Sequence, residues 1–148
     1  MLVKEIMTRN VECVRPDDTL QAAARKMREL DVGPLPVCGG DDRLAGIVTD
    51  RDITVRATAE GRDPTRTTVR EAMTPDVVYV FDDQDVRDAA DTMATHQIRR
   101  VLVLDRDKRL AGIVSMADVA VDAGREARPA DTLREVSQPA EPRRGGAG

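Results

Sequence analysis

Two pairs of polar residues recur in the sequence with the same spacing. Thr49 stands three residues before Asp52, Ser115 stands three residues before Asp118, and each pair follows a glycine and two hydrophobic residues. A hydroxyl and the free N–H groups at the start of a helix can hydrogen-bond an anion such as phosphate, and a carboxylate can accept hydrogen bonds from hydroxyl groups. The same residues can also do no more than cap a helix. Both interpretations stay open at this point.

The two pairs belong to an internal repeat. Residues 3–53 align with residues 69–119 without a gap, and 19 of the 51 aligned positions are identical. The segment Arg43–Val48 returns unchanged as Arg109–Val114. A unit of about 50 residues buries too little surface to be stable alone, so we expect the two copies to share a core. A repeat of this kind implies pseudo-two-fold symmetry and two related sites.

Each copy predicts the element order strand, helix, strand, strand, helix. In the first copy the predicted elements are Val11–Val14, a helix from Leu20 to Leu30, Leu35–Cys38 and Leu44–Val48. Their counterparts in the second copy are Val77–Val80, a helix from Val86 to His96, Val101–Leu104 and Leu110–Val114. Thr49 and Ser115 then lie where a strand gives way to a helix, which is the usual position of a helix cap.

The pattern divides the chain into four segments. We expect one repeat at residues 1–60, a linker at 61–68 around Gly61 and Pro64, and a second repeat at 69–122. Residues 123–148 are rich in glycine and proline and predict a flexible tail, in which Asp131–Val136 can form a short helix.

Composition argues against several classes of protein. The net charge is −4 with acidic and basic residues interspersed, and the aromatic residues are Tyr79 and Phe81, so a nucleic-acid surface is not expected. No apolar run approaches membrane-spanning length and no signal region is evident, which predicts a cytoplasmic protein. With His96 as the one histidine and two cysteines, the chain offers no metal-ligand spacing and no convincing catalytic constellation. We therefore expect neither a metal site nor an enzyme.

The repeat resembles a pair of CBS domains in the tandem arrangement called a Bateman module. The resemblance covers residues 3–121 and rests on Lys4–Thr8 and on the endings Gly46–Asp52 and Gly112–Asp118. Both endings match the family motif of a glycine, a hydrophobic pair, Thr or Ser, two variable residues and Asp. The resemblance implies an α/β (α+β) fold of two repeats of β-α-β-β-α order, packed through their sheets with pseudo-two-fold symmetry.

The resemblance also implies a function. Such modules are regulatory sensors that bind AMP, ADP, ATP or S-adenosylmethionine and signal by conformational change, without requiring a cofactor. They commonly form dimers, so a homodimer acting on an unknown effector protein is expected. The motif aspartate would accept hydrogen bonds from the ribose hydroxyls, and the motif hydroxyl would meet phosphate.

In the family, the motif of one repeat commonly faces strand-edge residues of the other, which implies two sites. The resemblance groups the first motif, Thr49, Arg51 and Asp52, with Thr74, Val77 and Arg100. It groups the second motif, Ser115 and Asp118, with Thr8, Val11 and Pro34.

The two predicted sites differ in charge. The second copy has Ala117 at the position of Arg51, and the first copy has Pro34 at the position of Arg100. Because guanidinium groups suit phosphate, we expect the first site to be the better nucleotide site. Both arginines can also be solvated or paired with nearby carboxylates.

Cys13 and Cys38 lie in the first and second predicted strands of one repeat, and the second copy has Tyr79 and Leu104 instead. They can be two buried thiols or a disulfide, which cytosolic redox conditions disfavour. The pair leaves open a second function, that of a ligand-free or redox-responsive interaction scaffold.

Overall fold

The computed structural model describes residues 1–126, with side chains to residue 122. The last helix continues to Glu126, past the point at which the tail was expected to begin. The helix predicted at Asp131–Val136 lies outside the described residues. No helix in the described part of the chain is long and apolar enough to cross a membrane.

The chain forms two compact units that do not coincide with the sequence repeats. Unit 2 consists of residues 12–77, and unit 1 consists of residues 1–11 together with residues from 78 onward. The first eleven residues of the chain therefore belong with the second repeat. The repeat boundaries at 1–60 and 69–122 stay a prediction.

Unit 2 contains a two-stranded antiparallel sheet of β1 (Pro34–Cys38) and β2 (Leu44–Thr49). Helix α1 (Leu20–Leu30) precedes the sheet. Helix α2 (Asp50–Ile53) follows it and continues as a π-helix over Thr54–Thr58. The short helix α3 (Val69–Ala72) ends the unit. Its core is aliphatic and includes the fully buried Leu20, Val37, Val48 and Val69.

Unit 1 contains a three-stranded sheet of β3 (Tyr79–Phe81), β4 (Arg100–Leu104) and β5 (Leu110–Ser115). Strand β3 is parallel to β4, and β4 is antiparallel to β5. Helix α4 (Val86–His96) and helix α5 (Met116–Glu126) complete the unit, with a 3₁₀ turn at Val3–Glu5. The predicted mixture of helices and strands is confirmed in both units.

The strand predicted at Val11–Val14 is wrong, because only Val14 forms a bridge, to Val37 of β1. The next bond of a parallel ladder would need an N–H from residue 36, which is Pro36 and has none. The second copy has Leu102 at that position, and there a strand of three residues does form. That strand is Tyr79–Phe81 rather than the predicted Val77–Val80.

Helices α1 and α4 begin and end where the hydrophobic spacing predicts. Thr19 caps α1 by accepting a hydrogen bond from the Ala22 N–H, and Asp85 caps α4 by accepting one from the Arg87 N–H. At the other end, Asp31 and Gln97 both adopt left-handed φ values, 57° and 55°. These caps fix the start of the strand that follows each helix.

Candidate functional site

The first motif forms a reciprocal cap at the start of α2 in unit 2. The Thr49 N–H donates to Asp52 Oδ2 at 2.9 Å, and the Asp52 N–H donates to Thr49 Oγ1 at 3.0 Å. The Asp52 side chain is 15% exposed. The carboxylate therefore reaches solvent while its orientation is set by the backbone.

The second motif forms the same cap at the start of α5 in unit 1. The Ser115 N–H donates to Asp118 Oδ2 at 2.9 Å, and the Asp118 N–H donates to Ser115 Oγ at 3.1 Å. The two motifs thus reach the same local geometry with different hydroxyl residues.

The cap uses only some of the hydrogen-bonding groups of each motif. It occupies Oδ2 of each carboxylate and one acceptor position of each hydroxyl. The cap does not use the carboxylate Oδ1 or the hydroxyl proton, which can serve other partners. In Asp52 this oxygen lies 3.9 Å from Arg56 Nε. Helix capping and ligand binding are therefore compatible, because the cap holds the second carboxylate oxygen in a defined position.

The motif glycine brings a second segment against each strand. In unit 2, Ile47 and Thr74 exchange two backbone hydrogen bonds of 2.9 and 2.8 Å. A Cβ atom on Gly46 would lie 2.6 Å from the Thr74 carbonyl oxygen, so only glycine permits this approach. Thr74 consequently lies beside the part of β2 that leads into Thr49.

Unit 1 repeats this arrangement with the N-terminal segment. Ile113 and Thr8 exchange backbone hydrogen bonds of 3.0 and 2.8 Å. A Cβ atom on Gly112 would lie 2.5 Å from the Thr8 carbonyl oxygen. The sequence reasoning missed the role of these glycines, although the identical Met-Thr segments and identical glycines of the two copies were a usable signal.

The two valines and two arginines predicted for the sites differ in exposure. Val77 is partly buried in unit 2, Val11 is partly buried in unit 1, and Arg51 and Arg100 are exposed. Among the described residues, neither arginine side chain takes part in an ion pair or hydrogen bond. Both guanidinium groups are therefore available to a ligand.

The register of the unit 1 sheet pairs Arg100 with a residue of the second motif. Arg100 is the ladder partner of Ser115, and Pro34 is the ladder partner of Thr49. Residues directly opposite in a ladder have adjacent side chains. Unit 1 therefore places Arg100 beside the second motif, whereas its assignment to the first motif stays a prediction.

Arg56 is a residue of unit 2 that the sequence reasoning did not single out. Its Nη1 donates to the carbonyl oxygens of Ala72 and Met73, at 3.1 and 3.2 Å, and its Nε lies 3.9 Å from Asp52 Oδ1. Arg56 thus links the motif carboxylate to the segment that leads into Thr74. The aligned residue of the second copy is Asp122, which is 7% exposed, and this reversal of charge was a readable signal.

Comparison with known proteins identifies both repeats. A family model described as CBS domain matches residues 3–57 and 69–121. The chain is 44% identical over 117 residues to hypoxic response protein 1 of Mycobacterium tuberculosis, covering 79% of this chain and 81% of that protein. The crystal structure of that protein, described as having two coordinated zinc ions, has a TM-score of 0.71 and 43% identity, covering 82% of this chain and 98% of that one.

Two other solved structures carry adenosyl ligands. CBSX2, from Arabidopsis thaliana, was solved in complex with AMP and has a TM-score of 0.70 at 28% identity, covering 86% of this chain and 98% of that one. The CBS domain pair of protein MJ0100 was solved with 5′-methylthioadenosine and S-adenosyl-L-methionine. It has a TM-score of 0.67 at 28% identity, over the same 86% and 98% of the two chains.

Proposed function

Because the chain belongs to the CBS-domain family, we propose that it is a regulatory module that binds an adenosyl ligand and signals by conformational change. AMP, ADP, ATP and S-adenosylmethionine are the candidate ligands. The observation that carries the proposal is the capped carboxylate of Asp52, whose second oxygen is held in a defined position 3.9 Å from Arg56 Nε and beside the segment that the motif glycine admits. The adenosyl ligands of CBSX2 and the MJ0100 pair support it.

Each polar group of the first motif has a distinct role in this proposal. Asp52 Oδ1 accepts hydrogen bonds from the ribose hydroxyls, and the Thr49 hydroxyl donates to phosphate. Arg51 adds a cation for the phosphate. Thr74 and Val77 supply the neighbouring strand edge, as Thr8 and Val11 do for the Ser115 and Asp118 motif.

The motif of unit 2 is the better phosphate site in our proposal. It carries two cations, Arg51 and Arg56, against the additional carboxylate of Asp50. The motif of unit 1 has Met116, Ala117 and Asp122 at these three positions. Arg100, beside Ser115, provides only one cation to set against the carboxylate of Asp122. A di- or triphosphate is therefore favoured at unit 2, and a ligand of lower negative charge at unit 1.

In this proposal the ligand is a regulator of the module and not a substrate. The conformational change that it causes alters the activity of an effector protein. The ligand can shift a conformational equilibrium only by its different affinities for the two states.

We also propose a homodimer, because Leu30, Val32 and Val55 expose apolar surface around α1 and α2.

Zinc is no part of the proposal for this chain. Within the described residues, no group of three His, Cys, Asp or Glu side chains is placed to hold a metal ion. The part of the chain that the structure describes therefore offers no ligand set for zinc ions such as those named for the Mycobacterium tuberculosis protein.

A thermal-shift titration tests the proposal. A ligand that binds only the folded chain adds about 2.7 kcal/mol of stability at 100 times its Kd, which raises the Tm by about 5–10 °C for a protein of this size. We expect such a rise with at least one of AMP, ATP and S-adenosylmethionine, and none with guanosine monophosphate as control. If no adenosyl compound shifts the Tm at millimolar concentration, the chain is a ligand-free interaction scaffold instead.

A further inference from the structure

Two cysteines meet at the single β-bridge that joins residues 12–14 to β1 in unit 2. The Val14 N–H donates to the Pro36 carbonyl oxygen at 3.0 Å, and the Cys38 N–H donates to the Val14 carbonyl oxygen at 2.9 Å. Cys13 precedes Val14 and Cys38 follows its bridge partner Val37, so the bridge places the two cysteines at neighbouring positions. Both are free thiols in this structure, and the disulfide left open by the sequence stays a possible oxidised form.

The two thiols differ in exposure. Cys38 is fully buried at the end of β1, whereas Cys13 is half-buried. A small oxidant in solvent can therefore reach Cys13 first, whereas Cys38 is enclosed by the protein.

Cations surround the pair. Arg15 Nη1 donates to the carbonyl oxygens of Cys38 and Gly39, and Arg15 Nη2 donates to Asp42 Oδ1 at 3.1 Å. Lys26 Nζ lies 3.4 Å from the Cys13 carbonyl oxygen and 3.3 Å from a carboxylate oxygen of Glu12. Two positive charges thus face the pair, each partly balanced by one carboxylate.

This environment separates the acidities of the two thiols. Hydrogen bonding of the Cys13 thiolate by the Cys38 thiol, helped by Arg15 and Lys26 and opposed by burial and Asp42, lowers the pKa of Cys13 to about 7. The same hydrogen bond and burial raise the pKa of Cys38. Reactive redox cysteines are commonly low-pKa, accessible thiolates next to a second cysteine.

We propose that Cys13 and Cys38 form a peroxide-reactive dithiol, in which Cys13 is the nucleophile and Cys38 is the resolving cysteine. The Cys13 thiolate attacks one oxygen of hydrogen peroxide, so that an S–O bond forms, the O–O bond breaks, and the departing hydroxide takes up a proton to become water. The Cys38 thiol then loses its proton and attacks the Cys13 sulfur. The S–S bond forms, the S–O bond breaks, and hydroxide leaves with that proton as a second water.

The structure also indicates what this disulfide would change. Pro36 on one side and Pro16 on the other have no N–H to extend the ladder beyond one bridge, so residues 12–14 are held to β1 by two backbone hydrogen bonds. In the second copy, where Tyr79 and Leu104 replace the cysteines, a three-residue parallel ladder holds the equivalent segment. A disulfide would therefore fix residues 12–14 to β1, where the ladder is shorter than in the second copy. This proposal does not depend on ligand binding.

The first test is the pH dependence of Cys13 alkylation. The test is to measure the rate of alkylation by iodoacetamide from pH 5 to 10 and to locate the labelled residue by peptide mass. The proposal expects a midpoint near 7 for Cys13, because its pKa is lowered to about that value, against about 8.5 for an ordinary thiol. Cys38→Ala should return the midpoint toward the ordinary value, and Arg15→Gln should move it part of the way. A midpoint near 8.5 in the native wild-type protein would overturn the assignment of Cys13 as nucleophile.

The second test follows the oxidation itself. Peroxide added to the reduced, folded protein should give a monomer that has lost two hydrogen atoms and in which neither cysteine can then be alkylated after denaturation. Cys38→Ala should instead accumulate a Cys13 sulfenic acid that dimedone captures, and Cys13→Ala should give neither product. Cys38→Val, which fills the same space, serves if the alanine variant does not fold. Formation of a sulfinic acid or an intermolecular disulfide in the wild-type protein would contradict the resolving role of Cys38.

Discussion

Replacing Gly112 with alanine is expected to destabilise the protein by about 3 kcal/mol, at the upper end of what overpacking costs. The new Cβ would lie 2.5 Å from the Thr8 carbonyl oxygen and 2.9 Å from Met7 Sδ. The methionine side chain can rotate away, but the carbonyl oxygen belongs to the backbone. It can move only by breaking the paired hydrogen bonds between Thr8 and Ile113. Equilibrium unfolding in urea measures the loss.

Gly40→Ala is the matched control. No atom lies within 4 Å of a Cβ at that position, and Gly40 has no positive φ. Its stability should stay within about 0.5 kcal/mol of the wild type. Gly46→Ala, whose Cβ would lie 2.6 Å from the Thr74 carbonyl oxygen, should behave like Gly112→Ala. If Gly112→Ala were as stable as Gly40→Ala, Thr8 would not be held against β5 as described.

Asp52→Asn is expected to weaken binding of the adenosyl ligand about 30-fold while leaving the fold intact. The asparagine oxygen can still accept the Thr49 N–H, so the cap of α2 is kept. The amide nitrogen replaces Oδ1, which removes the charged acceptor for the ribose hydroxyls. Hydrogen bonds to charged groups contribute about 1.5–3 kcal/mol, and each 1.4 kcal/mol is a factor of ten in affinity. The Kd is measured by titration with the compound that gives the largest thermal shift.

Asp118→Asn provides the comparison between the two units, because Asp118 makes the same cap in unit 1. We expect it to weaken binding of a phosphorylated ligand less than Asp52→Asn does, since the unit 1 motif lacks the counterparts of Arg51 and Arg56. A larger loss in Asp118→Asn would assign the stronger site to unit 1 and to Arg100.

Local patterns in the sequence were sufficient to predict most elements. Helix α1 runs from Leu20 to Leu30 as predicted, because hydrophobic spacing and a Thr cap act within a few residues. The strands of both hairpins also lie where the alternation and turns placed them. These features depend on interactions between near neighbours in the chain.

Local patterns were insufficient where distant segments meet. The strand at Val11–Val14 failed because its ladder needs an N–H that Pro36 in another strand lacks. Residues 1–11 belong to the same compact unit as residues from 78 onward, and no local pattern reports this association. The ladder pairing of Arg100 with Ser115 follows from the hairpin register and could have been derived by counting back from the turn.

Isothermal titration calorimetry of the wild-type protein with AMP, ATP and S-adenosylmethionine tests the central claim most directly. The account predicts saturable binding of at least one of these compounds, and heat that is strongly reduced in Asp52→Asn although that variant unfolds at the same urea concentration as the wild type. It would be contradicted if the wild-type protein gave no binding heat at millimolar ligand and Asp52→Asn were equally inert.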